Sequence, residues 1–198
     1  MAGLDRPTEG SLQLNGSDYR SLNLDRCRRQ EIAMIFQAFQ LFPLLTVLEN
    51  VCFPMEANGV KQKEAKAKAK ELLTSVGISE EQHQRYPANL SGGEQQRVAI
   101  ARALSSGAGI ILADEPVASL DPITAKQVME DFVRINKEYN ISILLNIHHV
   151  DLALKYCDRV IGVRAGEIVF DGPASTITQE QIDAVYNGTK VPTMGDGE

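Results

Sequence analysis

Apolar and polar positions divide the chain into short strand-like runs and longer helical stripes. Continuous apolar runs occupy residues 32–36, 109–116 and 141–149, and apolar residues at helical spacing occupy 94–104 and 123–138. A strand, a helix and a second strand in this order predict a βαβ unit, whose parallel strands are buried on both faces. The pattern therefore predicts an α/β fold with a mostly parallel sheet flanked by helices.

Weaker patterns lie before and after this unit. A short alternating strand at 11–14 ends in an Asn-Gly turn, and two strands at 159–172 meet at Ala165-Gly166. Helices are expected over three further segments, which are 44–57, the Lys- and Glu-rich solvated stretch 61–73, and 173–187.

The composition limits the class of protein. The chain has 198 residues, 43% of them hydrophobic, and a net charge of -6. These values are typical of a globular domain that does not bind nucleic acid. Three scattered cysteines without a CxxC pair argue against a zinc ribbon or disulfide framework. Because no apolar run approaches a membrane span and the N-terminus lacks a signal-peptide pattern, we expect a cytoplasmic protein.

Candidate catalytic groups follow the two strands of the βαβ unit. Asp114 and Glu115 end the first run, and His148 ends the second. Ligands of parallel α/β sheets bind beyond the carboxyl ends of the strands, and carboxylates suit Mg²⁺. An acidic pair after one strand is usually a solvated loop, but two neighbouring strands that both end in such groups favour a site.

A serine and two glycines begin the helix at residue 92. Exposed N–H groups at a helix N-terminus bind anions, and Gly92 and Gly93 would let a phosphate approach the backbone. Ser91 could contribute its hydroxyl group. The alternative is that Ser91 is only an N-cap and that the glycines belong to a loop.

Together these motifs resemble those of ATP-binding-cassette (ABC) ATPases. The signature loop of that family is similar to LSGGEQQRVAIARAL at 90–104, its Walker B strand to IILADEP at 110–116, and its D-loop to SLD at 119–121. The Q-loop is similar to MIFQ at 34–37, and His148 falls at the position of the switch histidine. The resemblance implies a P-loop NTPase-like fold with an inserted helical subdomain, and ATP hydrolysis with Mg²⁺.

The resemblance also implies a role for each matching residue. Glu115 would be the general base that orients the attacking water, and His148 would bind the γ-phosphate. Asp114 would hold Mg²⁺, while Gln37 would contact the ion and sense the γ-phosphate. Glu94 stands where the family often has Gln. The residues expected to contact an ATP molecule held by a second subunit are Ser91, Gly92, Gly93, Glu94 and Asp121.

The motif order implies a division of the chain. Residues 1–37 would be the remnant of an N-terminal β part, 38–90 the helical subdomain, 91–188 the α/β core, and 189–198 a disordered tail. No G-x-x-x-x-G-K-[ST] loop is present in the sequence. We therefore expect an N-terminally truncated chain, from a late start codon, an incomplete gene or a pseudogene, whose activity alone is in question.

The partners and the cargo follow from the resemblance alone. The expected partners are a membrane permease subunit and a second ATPase subunit, with the chain peripheral on the inner face of the cell membrane. NIHHVDLALKYCDRVIGVRAGEIVFDGP at 146–173 resembles ATPases of phosphonate importers, whereas FQLFPLLTVLENVCFPMEANG at 39–59 is similar to ATPases of lipoprotein release or export. We favour phosphonate-type import. A non-catalytic ABC module is the alternative.

Overall fold

The secondary structure follows the predicted alternation of strands and helices. The computed structural model describes residues 8–187, so the predicted tail at 189–198 lies outside the described residues. The chain divides into two units, Met1–His148 and His149–Glu198. The elements of the first unit are β1 (Gln13–Leu14), β2 (Ser17–Asp18), α1 (Leu24–Arg26), β3 (Ile32–Ile35), α2 (Val47–Ala57), α3 (Gln62–Ser75), α4 (Gly92–Ser105), β4 (Ile110–Asp114), α5 (Pro122–Tyr139) and β5 (Ser142–Asn146).

Three parallel strands form the main sheet of the first unit, in the order β3-β4-β5. The register pairs Ile35 with Ala113 and Asp114 with Asn146, so the carboxyl ends of the three strands meet at one edge. The prediction of an α/β fold with a parallel sheet is confirmed. The prediction that the two strands of the βαβ unit are buried on both faces is wrong for β5, where Leu144 is exposed. Within residues 8–187, β5 pairs with one strand only, so its side chains have fewer neighbours.

The helices α2, α3 and α4 pack against one another beside the sheet. A capping box starts α2, in which the Thr46 side chain accepts the N–H of Glu49 and the Glu49 carboxylate accepts the N–H of Thr46. The predicted solvated helix is α3, which buries only one stripe. The buried members of that stripe, at the spacing of one helix face, are Ala65, Ala69, Leu72 and Leu73.

The second unit contains the predicted hairpin. Its elements are α6 (Val150–Tyr156), β6 (Arg159–Arg164), β7 (Glu167–Pro173) and α7 (Gln179–Asn187). The antiparallel strands β6 and β7 join at Ala165 and Gly166, which both have positive φ as a tight hairpin turn requires. In the part of the chain that the structure describes, no helix combines the length and the apolar character needed to cross a membrane.

His83 should make the stability of the fold depend on pH. Its side chain is 2% exposed, and burial lowers its pKa below the ordinary value of 6.5. The unfolded chain therefore binds a proton more readily than the folded chain does. We expect the free energy of unfolding to be highest above pH 6.5 and to fall as the pH drops from 6.5 towards the lowered pKa of the folded state.

Urea unfolding of the chain at a series of pH values measures this dependence. The His83→Gln variant, which cannot titrate, should show a flatter profile across the same interval. An equal slope in both proteins would contradict the assignment to His83.

Candidate functional site

The carboxyl ends of β4 and β5 bring two acids, an amide and an imidazole together. Nε2 of His148 lies 3.0 Å from Oε1 of Glu115. Nδ2 of Asn146 donates to Oδ1 of Asp114 at 2.8 Å, and the backbone N–H of Glu115 donates to the carbonyl of Asn146 at 2.9 Å. Two side-chain bridges thus join adjacent strand ends, and the four residues form what we call the strand-end cluster.

Glu115 has an unusual backbone conformation. Its φ is 46°, in the left-handed region that non-glycine residues seldom adopt, and this costs about 1 kcal/mol or more. Such strain is concentrated at functional sites. The Glu115 side chain is 27% exposed and that of His148 is 71% exposed, so the pair is open to a ligand from solvent.

The cluster contains oxygen donors suited to Mg²⁺. The carboxylate of Asp114 is exposed, and Gln37 is also exposed, two residues beyond the end of the adjacent strand β3. Among residues 8–187, no group of three or more His, Cys, Asp or Glu side chains could hold a metal ion by itself. In phosphoryl-transfer sites Mg²⁺ is held by one or two carboxylates together with substrate phosphates, and this donor set fits such an ion.

The start of α4 is exposed at Ser91 and built on a capping box. Oε2 of Glu94 accepts the Ser91 N–H at 2.6 Å and the Ser91 hydroxyl at 2.8 Å, and the Ser91 hydroxyl oxygen accepts the Glu94 N–H at 3.3 Å. Gln82 donates to the other carboxylate oxygen of Glu94. The hydrogen bond from the Ser91 backbone is the main cause that holds the pKa of Glu94 below its usual range. Ser91 is therefore an N-cap, which was the alternative interpretation of the sequence, and it is also open to solvent.

Gly93 has a packing role that the sequence analysis missed. A Cβ atom at this position would lie 2.4 Å from Cγ2 of Thr124, at the start of α5. At Gly92 the nearest atom, Cδ2 of Leu120, would be 3.3 Å away. The close approach of α5 is thus a sufficient reason for glycine at position 93, independent of any phosphate.

Asp121 begins α5 beside this contact. Its Oδ1 accepts the N–H groups of Ile123 and Thr124, both at 3.1 Å, and the hydrogen bonds at Thr124 lower the pKa of Asp121. Because Gly93 packs against Thr124, the N-termini of α4 and α5 are neighbours. Ser91, Gly92, Gly93, Glu94 and Asp121 are called the helix-start cluster below.

Two residues of this region were not found from the sequence. Asn146 holds the Asp114 carboxylate, and Thr124 fixes the approach to Gly93. Asn146 could have been found, because a polar residue ends an otherwise apolar strand. Thr124 carried no signal, because its contact depends on how two helices pack.

Comparison with known proteins identifies the family of this chain. The ABC transporter family model matches residues 1–118. The phosphonates import ATP-binding protein PhnC of Lactococcus lactis subsp. lactis is 48% identical over 194 residues, which cover 93% of this chain and 78% of that protein. PhnC 3 of Halalkalibacterium halodurans is 45% identical over 203 residues, which cover 96% of this chain and 77% of that protein.

Solved structures agree with this similarity. The dimeric post-hydrolysis state of the ATP-binding cassette MJ0796, bound to ADP and Pi, matches with a TM-score of 0.77 at 35% identity. That match covers 87% of this chain and 77% of the other. CbiO1 of Clostridium perfringens, part of the transporter complex cbiONQ, matches with a TM-score of 0.82 at 25% identity and covers 94% of this chain and 76% of the other. The chain belongs to the ABC transporter family of ATP-binding subunits, whose members hydrolyse ATP.

The contact between Gly93 and Thr124 predicts a specific pattern of stability. The Gly93→Ala substitution should lower the free energy of unfolding by about 1–3 kcal/mol, because the new methyl group overlaps Cγ2 of Thr124. In a Thr124→Ser background, which lacks Cγ2, the same substitution should cost clearly less. Urea unfolding of the four proteins in this double-mutant cycle gives the coupling.

Gly109→Ala is the matched control, because nothing lies within 4 Å of a Cβ built at that position. An equal cost of Gly93→Ala in both backgrounds would refute the packing explanation.

Proposed function

We propose that this chain is the ATP-hydrolysing subunit of a membrane transporter that imports phosphonates. The observation that carries the catalytic part is the 3.0 Å contact between His148 and Glu115, beside the Asp114 carboxylate. The cargo is supported by similarity to phosphonate import proteins along nearly the whole chain.

Hydrolysis of ATP needs a water oxygen to attack the γ-phosphorus while the bond to the bridging oxygen of ADP breaks. In this proposal the Glu115 carboxylate orients that water and accepts its proton. The imidazole of His148 donates to an oxygen of the γ-phosphate. Their mutual hydrogen bond keeps both groups within reach of one phosphate, and positioning is most of what phosphoryl transfer requires of a protein.

Asp114 and Gln37 are the proposed holders of Mg²⁺. When bound, the ion neutralises charge on the β- and γ-phosphates. The Asn146 amide restrains one oxygen of Asp114, so the carboxylate is oriented before a ligand arrives.

The helix-start cluster is proposed to contact the ATP of a second subunit. The N–H groups that begin α4 and the hydroxyl of Ser91 would bind the γ-phosphate, and Asp121 would lie at the same interface. Oε2 of Glu94 accepts both donors of Ser91, so the hydroxyl must turn away from Glu94 to reach a phosphate. This proposal is supported by the exposure of Ser91 and by the dimeric form of the cassette MJ0796.

An exposed aromatic pair is the proposed contact with the membrane permease. The rings of Phe42 and Phe53 lie 4.7 Å apart and are 40% and 46% exposed, with Leu44 also exposed nearby in the sequence. Exposed aromatic side chains that sit together are typical anchors of protein interfaces. The segment 38–90 would then be the helical subdomain, and the chain would work at the inner face of the cell membrane.

A second candidate is an ABC module that associates with a partner without turning over ATP. The sequence contains no G-x-x-x-x-G-K-[ST] motif, which supplies backbone donors and a lysine to the phosphates in P-loop ATPases. The two candidates predict different results in the turnover experiment below.

Replacement of Glu115 should remove ATP turnover. We expect the purified chain to release phosphate from ATP with Mg²⁺, and Glu115→Gln to lower kcat by about 10²–10⁴-fold while ATP binding persists, because a general base contributes that much. The control is Glu71→Gln on the exposed face of α3. Turnover unchanged by Glu115→Gln would refute the role of Glu115, and ATP binding without turnover by the unaltered chain would favour the second candidate.

The cargo is tested in the same assay with the permease present in proteoliposomes. Import of phosphonates predicts that a phosphonate stimulates turnover, whereas stimulation by a lipoprotein would favour release or export.

Replacement of Phe53 should weaken assembly with the permease. Phe53→Ser removes an exposed apolar anchor, and we expect at least about a tenfold loss of affinity in a pull-down with detergent-solubilised permease. Ile168→Ser, at another exposed apolar position, is the control and should have no effect. Equal binding by Phe53→Ser and the unaltered chain would exclude this surface.

A further inference from the structure

Arg102, in the last turn of α4, reaches the backbone just after β3. Its Nη1 donates to the carbonyl of Gln40 at 2.6 Å, and its Nη2 donates to the carbonyl of Phe39 at 3.1 Å. The guanidinium carbon also lies 5.8 Å from the centre of the Phe42 ring. The Arg102 side chain therefore contacts three residues of one segment, the nearest of which is sixty residues away in the sequence.

The backbone that Arg102 binds is strained. Phe39 and Gln40 have φ values of 60° and 46°, so two successive non-glycine residues are left-handed. Each costs about 1 kcal/mol or more relative to ordinary backbone. The turn makes two local hydrogen bonds, from Phe39 N–H to Phe36 O at 3.0 Å and from Gln40 N–H to Ala38 O at 2.6 Å. Hydrogen bonds from another segment stabilise this conformation further, and the carbonyls of Phe39 and Gln40 accept them.

A half-buried arginine is energetically unfavourable at a position whose only role is to fill space. Arg102 is half-buried, and burial lowers its pKa. No carboxylate within residues 8–187 lies at ion-pair distance from it, so backbone carbonyls and an aromatic ring are the partners of its charge in this structure. Burying a cation is unfavourable unless hydrogen bonds compensate, and an apolar side chain would fill the same volume at lower cost.

The segment after the turn is fixed from its other side by Asn50, which is fully buried on α2. Oδ1 of Asn50 accepts the Phe42 N–H at 2.8 Å, and Nδ2 lies within 3.1 Å of the carbonyls of Phe42, Leu45 and Thr46. Gln37 lies between the end of β3 and the carbonyls bound by Arg102. The backbone position of Gln37 therefore depends both on β3 and on the turn that Arg102 binds.

We infer that Arg102 is a positioning residue, which holds the turn at Phe39 and Gln40 in its left-handed conformation and thereby sets Gln37 relative to α4. The consequence for nucleotide chemistry rests on the proposed function of Gln37. The holding of the turn by Arg102 does not depend on that function and is measured without ATP. Either proposal can therefore fail while the other stands.

Amide hydrogen exchange of the full chain, followed by NMR, tests the inference. In Arg102→Met, which keeps the bulk and removes the donors, the Phe39 and Gln40 amides should exchange about ten to a hundred times faster, as the loss of a charged hydrogen bond implies. The Leu112 amide in β4 should change much less. Adding Gln40→Gly should restore part of the protection at Phe39, because glycine is left-handed without strain. Equal acceleration at all amides, or no rescue by Gln40→Gly, would overturn the inference.

If Arg102→Met does not fold, a measurement on the unaltered chain tests the same role of Arg102. The Nη protons of Arg102 should give separate, slowly exchanging NMR signals, because both nitrogens are held by carbonyls. A single averaged signal from a freely rotating guanidinium would overturn the assignment. Arg134→Met, at a more exposed arginine on α5, is the control for loss of a positive charge.

Discussion

The parallel register of β3, β4 and β5 is the constraint on which the candidate site depends. Pairing Asp114 with Asn146 places the carboxyl ends of β4 and β5 side by side. Glu115 follows β4 directly and His148 lies two residues beyond the end of β5, and their side chains meet at 3.0 Å. A shift of one residue in the register of β5 would turn all of its side chains to the opposite face of the sheet and separate these groups. The sheet therefore fixes a chemical arrangement that none of its residues could form alone.

The backbone is strained just after two of these three strands, β3 and β4. Glu115 comes directly after β4, and Phe39 and Gln40 come shortly after β3, and all three are left-handed without being glycine. In each case a side chain or backbone group from a distant segment binds the strained stretch. The neighbour is Asn146 for Glu115 and Arg102 for the turn after β3. The edge of the sheet is thus shaped by interactions that stabilise unfavourable backbone.

Local patterns in the sequence predicted most of this fold, and non-local contacts account for what they missed. Apolar runs and helical stripes identified β4, α5 and β5 because their burial repeats with a fixed period. The motifs predicted that Asp114, Glu115 and His148 lie together, because each ends or follows one of two neighbouring strands. The packing role of Gly93 and the reach of Arg102 were not predictable, since both depend on the approach of two segments far apart in the sequence. The exposure of β5 was missed because an apolar run does not reveal how many neighbours its strand will have.

We propose that the strand-end cluster binds the metal and the phosphates of ATP. Paramagnetic broadening by Mn²⁺ with ATP, measured in the NMR spectrum of the chain, tests this role, because broadening falls off steeply with distance from the ion. We expect the amides of Asp114 and Glu115 to broaden first, together with that of Gln37. Broadening concentrated on other exposed carboxylates, such as Glu130 and Glu138 on α5, with the ends of β4 and β5 unaffected, would refute this role.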